Sequence, residues 1–173
     1  MDPRYLTMCL KNFETLSDLR TQANEHASIM SALHDSVICV ACGRFGTTDE
    51  RLRNDCRVFY LIAAGMWLNR PEGSFGREAR AIANILHAGA KLRVVPQNEV
   101  MRRLFDEAVR LSDRFDAQAA SNIIWAAATV ALKDARVVYA LARACVDRVR
   151  EMNPQNASNA PGRSLLSKCQ MIM

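Results

Sequence analysis

Glycine and proline are scarce in this chain, 7 and 5 among 173 residues. That is about 7% where average proteins have roughly 12%. With so few breakers and so much alanine, leucine, arginine and glutamate, the chain favours helices over a strand-rich sandwich. Long hydrophobic runs are missing too. The longest goes only from Val58 to Leu68 and is too short to span a bilayer. Six cysteines are too few to staple a chain of this length, and Cys39 and Cys145 sit in apolar helical runs as reduced thiols do. A reducing, intracellular compartment is the expectation. The opening Met-Asp-Pro-Arg-Tyr, with acids at Asp2, Glu14 and Asp18, suits neither a secretory signal nor a transit peptide. Cys169 lies one place too early for a prenylation box.

Lysine is also rare. Only Lys11, Lys91, Lys133 and Lys168 stand among the 23 basic residues. Arginine dominance suits planar recognition of phosphates and bases, and it follows equally from a GC-rich genome. The formal charge of +5 permits an anionic partner without demanding one.

Enzyme signatures are lacking. Gly43-Arg-Phe-Gly46 has neither the third glycine nor the following Lys-Ser/Thr of a phosphate-cradling loop. His26, His34 and His87 pair with no nucleophile motif, so no catalytic residue is assigned. Cys39 and Cys42 form a Cys-x-x-Cys pair with only Cys56 and His34 nearby. A structural zinc site needs four ligands, and a redox pair needs a strand–motif–helix setting that is absent. Two small apolar side chains on one helix face explain the pair, so neither metal nor cofactor is expected.

What the chain does contain is a repeat. Half its residues are apolar and 24% are charged, the balance of a folded chain of one domain. Three segments align: Arg80 to Ala90, Gln118 to Ala128 and Gln155 to Ala160. Their shared asparagines Asn84, Asn122 and Asn159 recur at an almost constant interval of about 38 residues. A fainter copy overlays Ser36 on Asn84 across a longer unit, with 69–76 as the inserted loop. Each unit reads as two helices. Helix A of the central unit starts at Asp116, a good cap, with Ala120, Ile123, Ile124, Ala127, Val130 and Ala131 on one face. Helix B follows Asp134, with Val137, Val138, Leu141, Cys145 and Val149 on its face. The preceding helix B carries Val100, Met101, Leu104, Ala108 and Leu111, and Arg51 to Leu68 forms the one before it. A lone hairpin cannot bury both faces, so such units stack in arrays. The expectation is all-α: a short right-handed α-solenoid of helical hairpins that recur with the asparagines. Its segments are 34–74 (degenerate), 75–113, 114–151 and a truncated 152–173. Residues 1–33 look helical without a place in the repeat.

The string Phe115-Asp-Ala-Gln-Ala-Ala-Ser-Asn-Ile-Ile-Trp-Ala-Ala-Ala-Thr129 carries a resemblance, and Met152 to Asn159 repeats its opening. It resembles the octotricopeptide repeat, related to the repeats of FAST-kinase-like mitochondrial proteins. The resemblance covers 75–160 best. It implies a non-catalytic helical-repeat protein of a chloroplast or mitochondrion that binds single-stranded RNA in its maturation, stability or translation. The tryptophan of the pattern is present only at Trp125, with His87 and Cys39 in the matching places. Pro161-Gly162 interrupts helix A where the family continues, which points to a short or fragmentary member.

The asparagine ladder is the sharpest candidate site. Repeat proteins that read RNA offer two or three side chains per base, and amides supply donors and acceptors together. Arg80, Gln118 and Gln155 lie one turn before Asn84, Asn122 and Asn159, so all six are assigned to RNA binding. The alternative for the asparagines is a packing role that fixes the stacking of units. Trp125 reads as core. The arginines at 102, 103, 110, 114, 143, 148 and 150 are interleaved with acids and read as an ordinary charged face. A protein-interaction scaffold or effector on the same fold, without nucleic acid, is the competing function.

Overall fold

Short polar side chains start five of the described helices. The computed structural model describes residues 2–48 and 50–149. Among them are eight α-helices and no strand: α1 (Pro3–Asn12), α2 (Leu16–Glu25), α3 (Ala32–Thr48), α4 (Arg53–Asn69), α5 (Ala79–Lys91), α6 (Glu99–Arg110), α7 (Ala117–Thr129) and α8 (Ala135–Val149). The all-α expectation therefore holds, and residues 1–33 include two of the helices. Side-chain oxygens of Asp2, Thr15, Asn98, Asp116 and Asp134 accept backbone N–H groups in the first turns of α1, α2, α6, α7 and α8. Removing such a cap costs about 1 kcal/mol. Asp116 and Asp134 open the two helices that the sequence assigns to them.

The ends of α5 and α7 close in the same way. Arg93 and Ala131 each take a left-handed conformation, with φ of 57° and 51°. The next amides turn back: Val94 N–H donates to Gly89 O and Leu132 N–H to Ala127 O, both at 3.0 Å. This is the closure that satisfies a helix's last carbonyls, usually with glycine at the left-handed place. It corrects the sequence reading of α7. The apolar register runs on to Val130 and Ala131, but the helix stops at Thr129. Reversal there leaves Ala131 exposed and lets Leu132 pack against the core.

The helices pack in two series. α1 lies against α3, α3 against α5, and α5 against α7; α4 lies against α6, and α6 against α8. Within the chain, α3 also packs on α4, α5 on α6, and α7 on α8. Close approach of α3 and α5 depends on Gly43. A Cβ placed there would sit 2.9 Å from the Ala88 Cβ and 3.0 Å from its Cα. The core between the series is anchored by Tyr60 and Trp67 of α4, both fully buried. Tyr60 donates its hydroxyl to Ile85 O at 3.0 Å, and Trp67 its indole N–H to Gly76 O at 3.1 Å. Arg77 lies 4.9 Å over the Trp67 ring, pairs with Glu107 on α6, and donates to Arg70 O at 2.7 Å. Asp35 has no exposed side-chain surface and accepts from Arg70 Nε at 2.9 Å. Burial pushes its carboxyl above the ordinary range against the pull of that arginine.

Candidate nucleic-acid interface

Period 3.6 puts residues 80, 84, 87 and 91 of α5 on one stripe, and 118, 122 and 125 of α7 on another. Packing of α5 against α7 brings these stripes side by side, offset by one repeat. Asn122 donates its amide to Asn84 Oδ1 at 3.3 Å. Arg80 Nη2 donates to Gln118 Oε1 at 3.4 Å. One turn further on, the His87 and Trp125 rings meet edge-on, 4.6 Å between centroids at 61°. Asn84 and Asn122 are half-buried, while Arg80 and Gln118 are exposed. Four of the six residues assigned from the sequence thus meet in two rungs. Gln155 and Asn159 lie outside the described residues.

Both alternatives for the asparagines have support in this geometry. The Asn84–Asn122 bond ties two helices together, as a packing role requires. It also leaves amide N–H donors and the Asn122 oxygen available on a surface that solvent reaches.

On the other side of Asn84, α5 borders a groove against α3 and the end of α1. It has two contiguous lobes of about 270 and 400 Å³ that share Val40, Arg44 and Asn84. Lys11, Arg44 and Lys91 reach it from three helices, and no carboxylate among the described residues lines it. Arg44 is held in place: its guanidinium donates to Lys11 O at 3.2 Å and Phe13 O at 2.8 Å at the end of α1. Val40 is 46% exposed within this groove. Burial, and next the charge of Lys91, hold the His87 imidazole below its ordinary value, so it is neutral near pH 7.

Lys11, Arg44 and Lys91 were not singled out from the sequence. Lys91 carries a signal, being two turns after Asn84 and so on the same stripe. Lys11 carries none, because residues 1–33 match no repeat. Trp125 does pack against the core as expected, but only in part, and one edge of it faces His87. Among the arginines set aside as a charged face, Arg102 pairs with Glu99 at 2.8 Å, and Arg110 with Glu107 at 2.8 Å. Both lie on α6, where the Arg102–Glu99 pair is solvated as the sequence suggests, while Glu107 is nearly buried and also pairs with Arg77.

Cys39 and Cys42 are buried, and burial pushes both thiols up, away from the thiolate that a ligand or nucleophile needs. His34 turns to its own helix start instead, where its Nδ1 accepts the Ser31 N–H at 2.9 Å. No group of three or more His, Cys, Asp or Glu residues among the described residues is placed to hold a metal ion. No helix among them is long and apolar enough to cross a membrane. No protein-family model matches the chain, and neither a curated protein nor a solved structure matches it.

Proposed function

We propose that the chain is an α-solenoid of repeated helical hairpins, and that it binds single-stranded RNA, without catalysis, along the face shared by α3, α5 and α7. The arrangement supports it: one helix series runs α1, α3, α5, α7, another runs α4, α6, α8, and the closures of α5 and α7 recur one repeat apart. The observation that carries the function is the matched set of rungs, Arg80 with Gln118, Asn84 with Asn122 and His87 with Trp125. Two of these six, Asn84 and His87, also line the groove, whose charged side chains among the described residues are all cationic. Amides for base edges, an aromatic pair for stacking and cations for phosphates are the three chemistries of single-strand recognition. The likeness to octotricopeptide repeats gives this reading its biological class, a factor for maturation, stability or translation of organellar RNA.

The test is the anisotropy of a labelled single-stranded RNA, titrated at several salt concentrations. Four cations on this face, Lys11, Arg44, Arg80 and Lys91, predict a slope of log K against log[salt] of about −3. Asn122→Ala combined with Gln118→Ala lowers affinity while far-UV circular dichroism stays unchanged. Intact affinity in that folded double variant refutes the surface role of the rungs. Cooperative unfolding of the variant speaks instead for packing.

A second reading, a protein-interaction scaffold on the same fold, draws on α4. There Val58, Ile62 and Met66, spaced by one turn each, are 55%, 54% and 36% exposed. Absence of RNA binding, together with a protein partner lost in Ile62→Asp, favours it.

A further inference from the structure

The α1–α3–α5 groove combines features that a plain phosphate patch does not need. Its floor is apolar, formed by Leu33, Val37, Val40 and Ala88. Val40 stands exposed where the two lobes join. Asn84 lies beside it in both lobes and presents its amide N–H donors, its Oδ1 being engaged by Asn122. The cations sit at the two ends, with Lys11 in one lobe and Lys91 in the other, while Arg44 belongs to both. Pockets for small ligands are mostly apolar, hold a few placed polar groups and occupy about 300–1,000 Å³. The two lobes together fall within that range.

We infer that this groove seats one nucleotide together with both of its flanking phosphates: the base over Val40 with its edge toward Asn84, one phosphate toward Lys11 and Arg44, the other toward Lys91. This rests on the RNA-binding reading above and deepens it. It assigns a base-and-backbone seat in part to residues outside the repeats, since α1 supplies Lys11 and the end of α1 supplies the carbonyls that hold Arg44. The seat explains a chain in which lysine is scarce yet two lysines end helices of one face. Each is the last-turn cation of its helix, at α1 and α5. A helix C-terminus favours a cation, so these lysines are held close to a groove that no described carboxylate lines.

The probe is uridine 3′,5′-bisphosphate, which carries a base and two phosphates, titrated into the isotope-labelled full chain. Inorganic phosphate and uridine are the comparison ligands. The expected result is shifts of the Val40, Arg44, Asn84 and His87 backbone amides, with the bisphosphate binding at least tenfold more tightly than either comparison ligand. Lys11→Gln and Lys91→Gln should each weaken it by about tenfold, the effect of one charge-assisted hydrogen bond. In the RNA titration each should reduce the salt slope by about 0.7. No shift at these amides overturns the seat, even if RNA binds elsewhere on the face. Equal binding of inorganic phosphate also overturns it, leaving a bare anion patch. Bisphosphate binding at these residues by a protein that binds no RNA keeps the seat and ends the RNA reading.

Discussion

Gly43→Ala and Gly65→Ala should change stability in opposite directions. Both glycines lie inside helices, Gly43 in α3 and Gly65 in α4, where alanine is intrinsically better by about 0.5–1 kcal/mol. At Gly65 a new Cβ meets nothing within 4 Å, so the propensity gain stands alone. At Gly43 the new Cβ falls 2.9 Å and 3.0 Å from the Cβ and Cα of Ala88, atoms that cannot rotate away. Overpacking of this kind costs about 1–3 kcal/mol, because α3 and α5 must move apart. The propensity gain offsets part of that, so Gly43→Ala should be destabilising by about 0.5–2 kcal/mol. At about 3 °C per kcal/mol for a chain of this size, the two variants should bracket the parent Tm from either side. Urea denaturation followed by circular dichroism gives the same comparison isothermally. If Gly43→Ala stabilises as much as Gly65→Ala does, α3 and α5 do not touch at this point, and the adjacency that forms the groove is wrong.

Two further outcomes follow from the described geometry. Ala131→Gly should stabilise by about 0.5–1 kcal/mol in thermal melts, because alanine holds a left-handed φ of 51° there that glycine adopts freely. Arg70→Met strands the buried Asp35, and removing one partner of a buried pair costs about 3–5 kcal/mol. That loss should depend on pH. Asp35 already has a folded-state pKa above its ordinary 3.8, so its protonated form is favoured by folding. Without Arg70 the value rises further. The variant should therefore keep most of its stability at acid pH and lose it as pH rises from the ordinary value through the shifted one. A pH-independent deficit, measured by urea denaturation across that range, would refute the assignment of the loss to Asp35.

The rung residues show how a site is half-visible in one dimension. Asn84 and Asn122 are found because recurrence at fixed spacing is a one-dimensional property. The same holds for Arg80 and Gln118, which precede them by one turn. That Asn122 of α7 hydrogen-bonds Asn84 of α5 is not such a property, since it depends on how far α5 and α7 slide along one another. His87 and Trp125 show the same limit: aligned in sequence, they read as packing residues, and their edge-on contact emerges only once the helices dock.

By itself the sequence determined the helices. Sparse glycine and proline, the caps at Asp116 and Asp134, and apolar residues at three and four are local signals, each acting within a turn or two of the backbone. The recurrence of Asn84, Asn122 and Asn159 was legible for a different reason, because equal spacing can be read along the chain without any folding. The end of α7 escaped it, because Thr129 precedes no glycine or proline and the reversal depends on Leu132 finding the core. Only tertiary structure decided which side chains share a surface. Lys11, Arg44 and Lys91 come from three helices with no common spacing, and a groove exists between them because Gly43 lets α3 reach Ala88. Distances between helices are set by packing over the whole core, and no local run of residues encodes them.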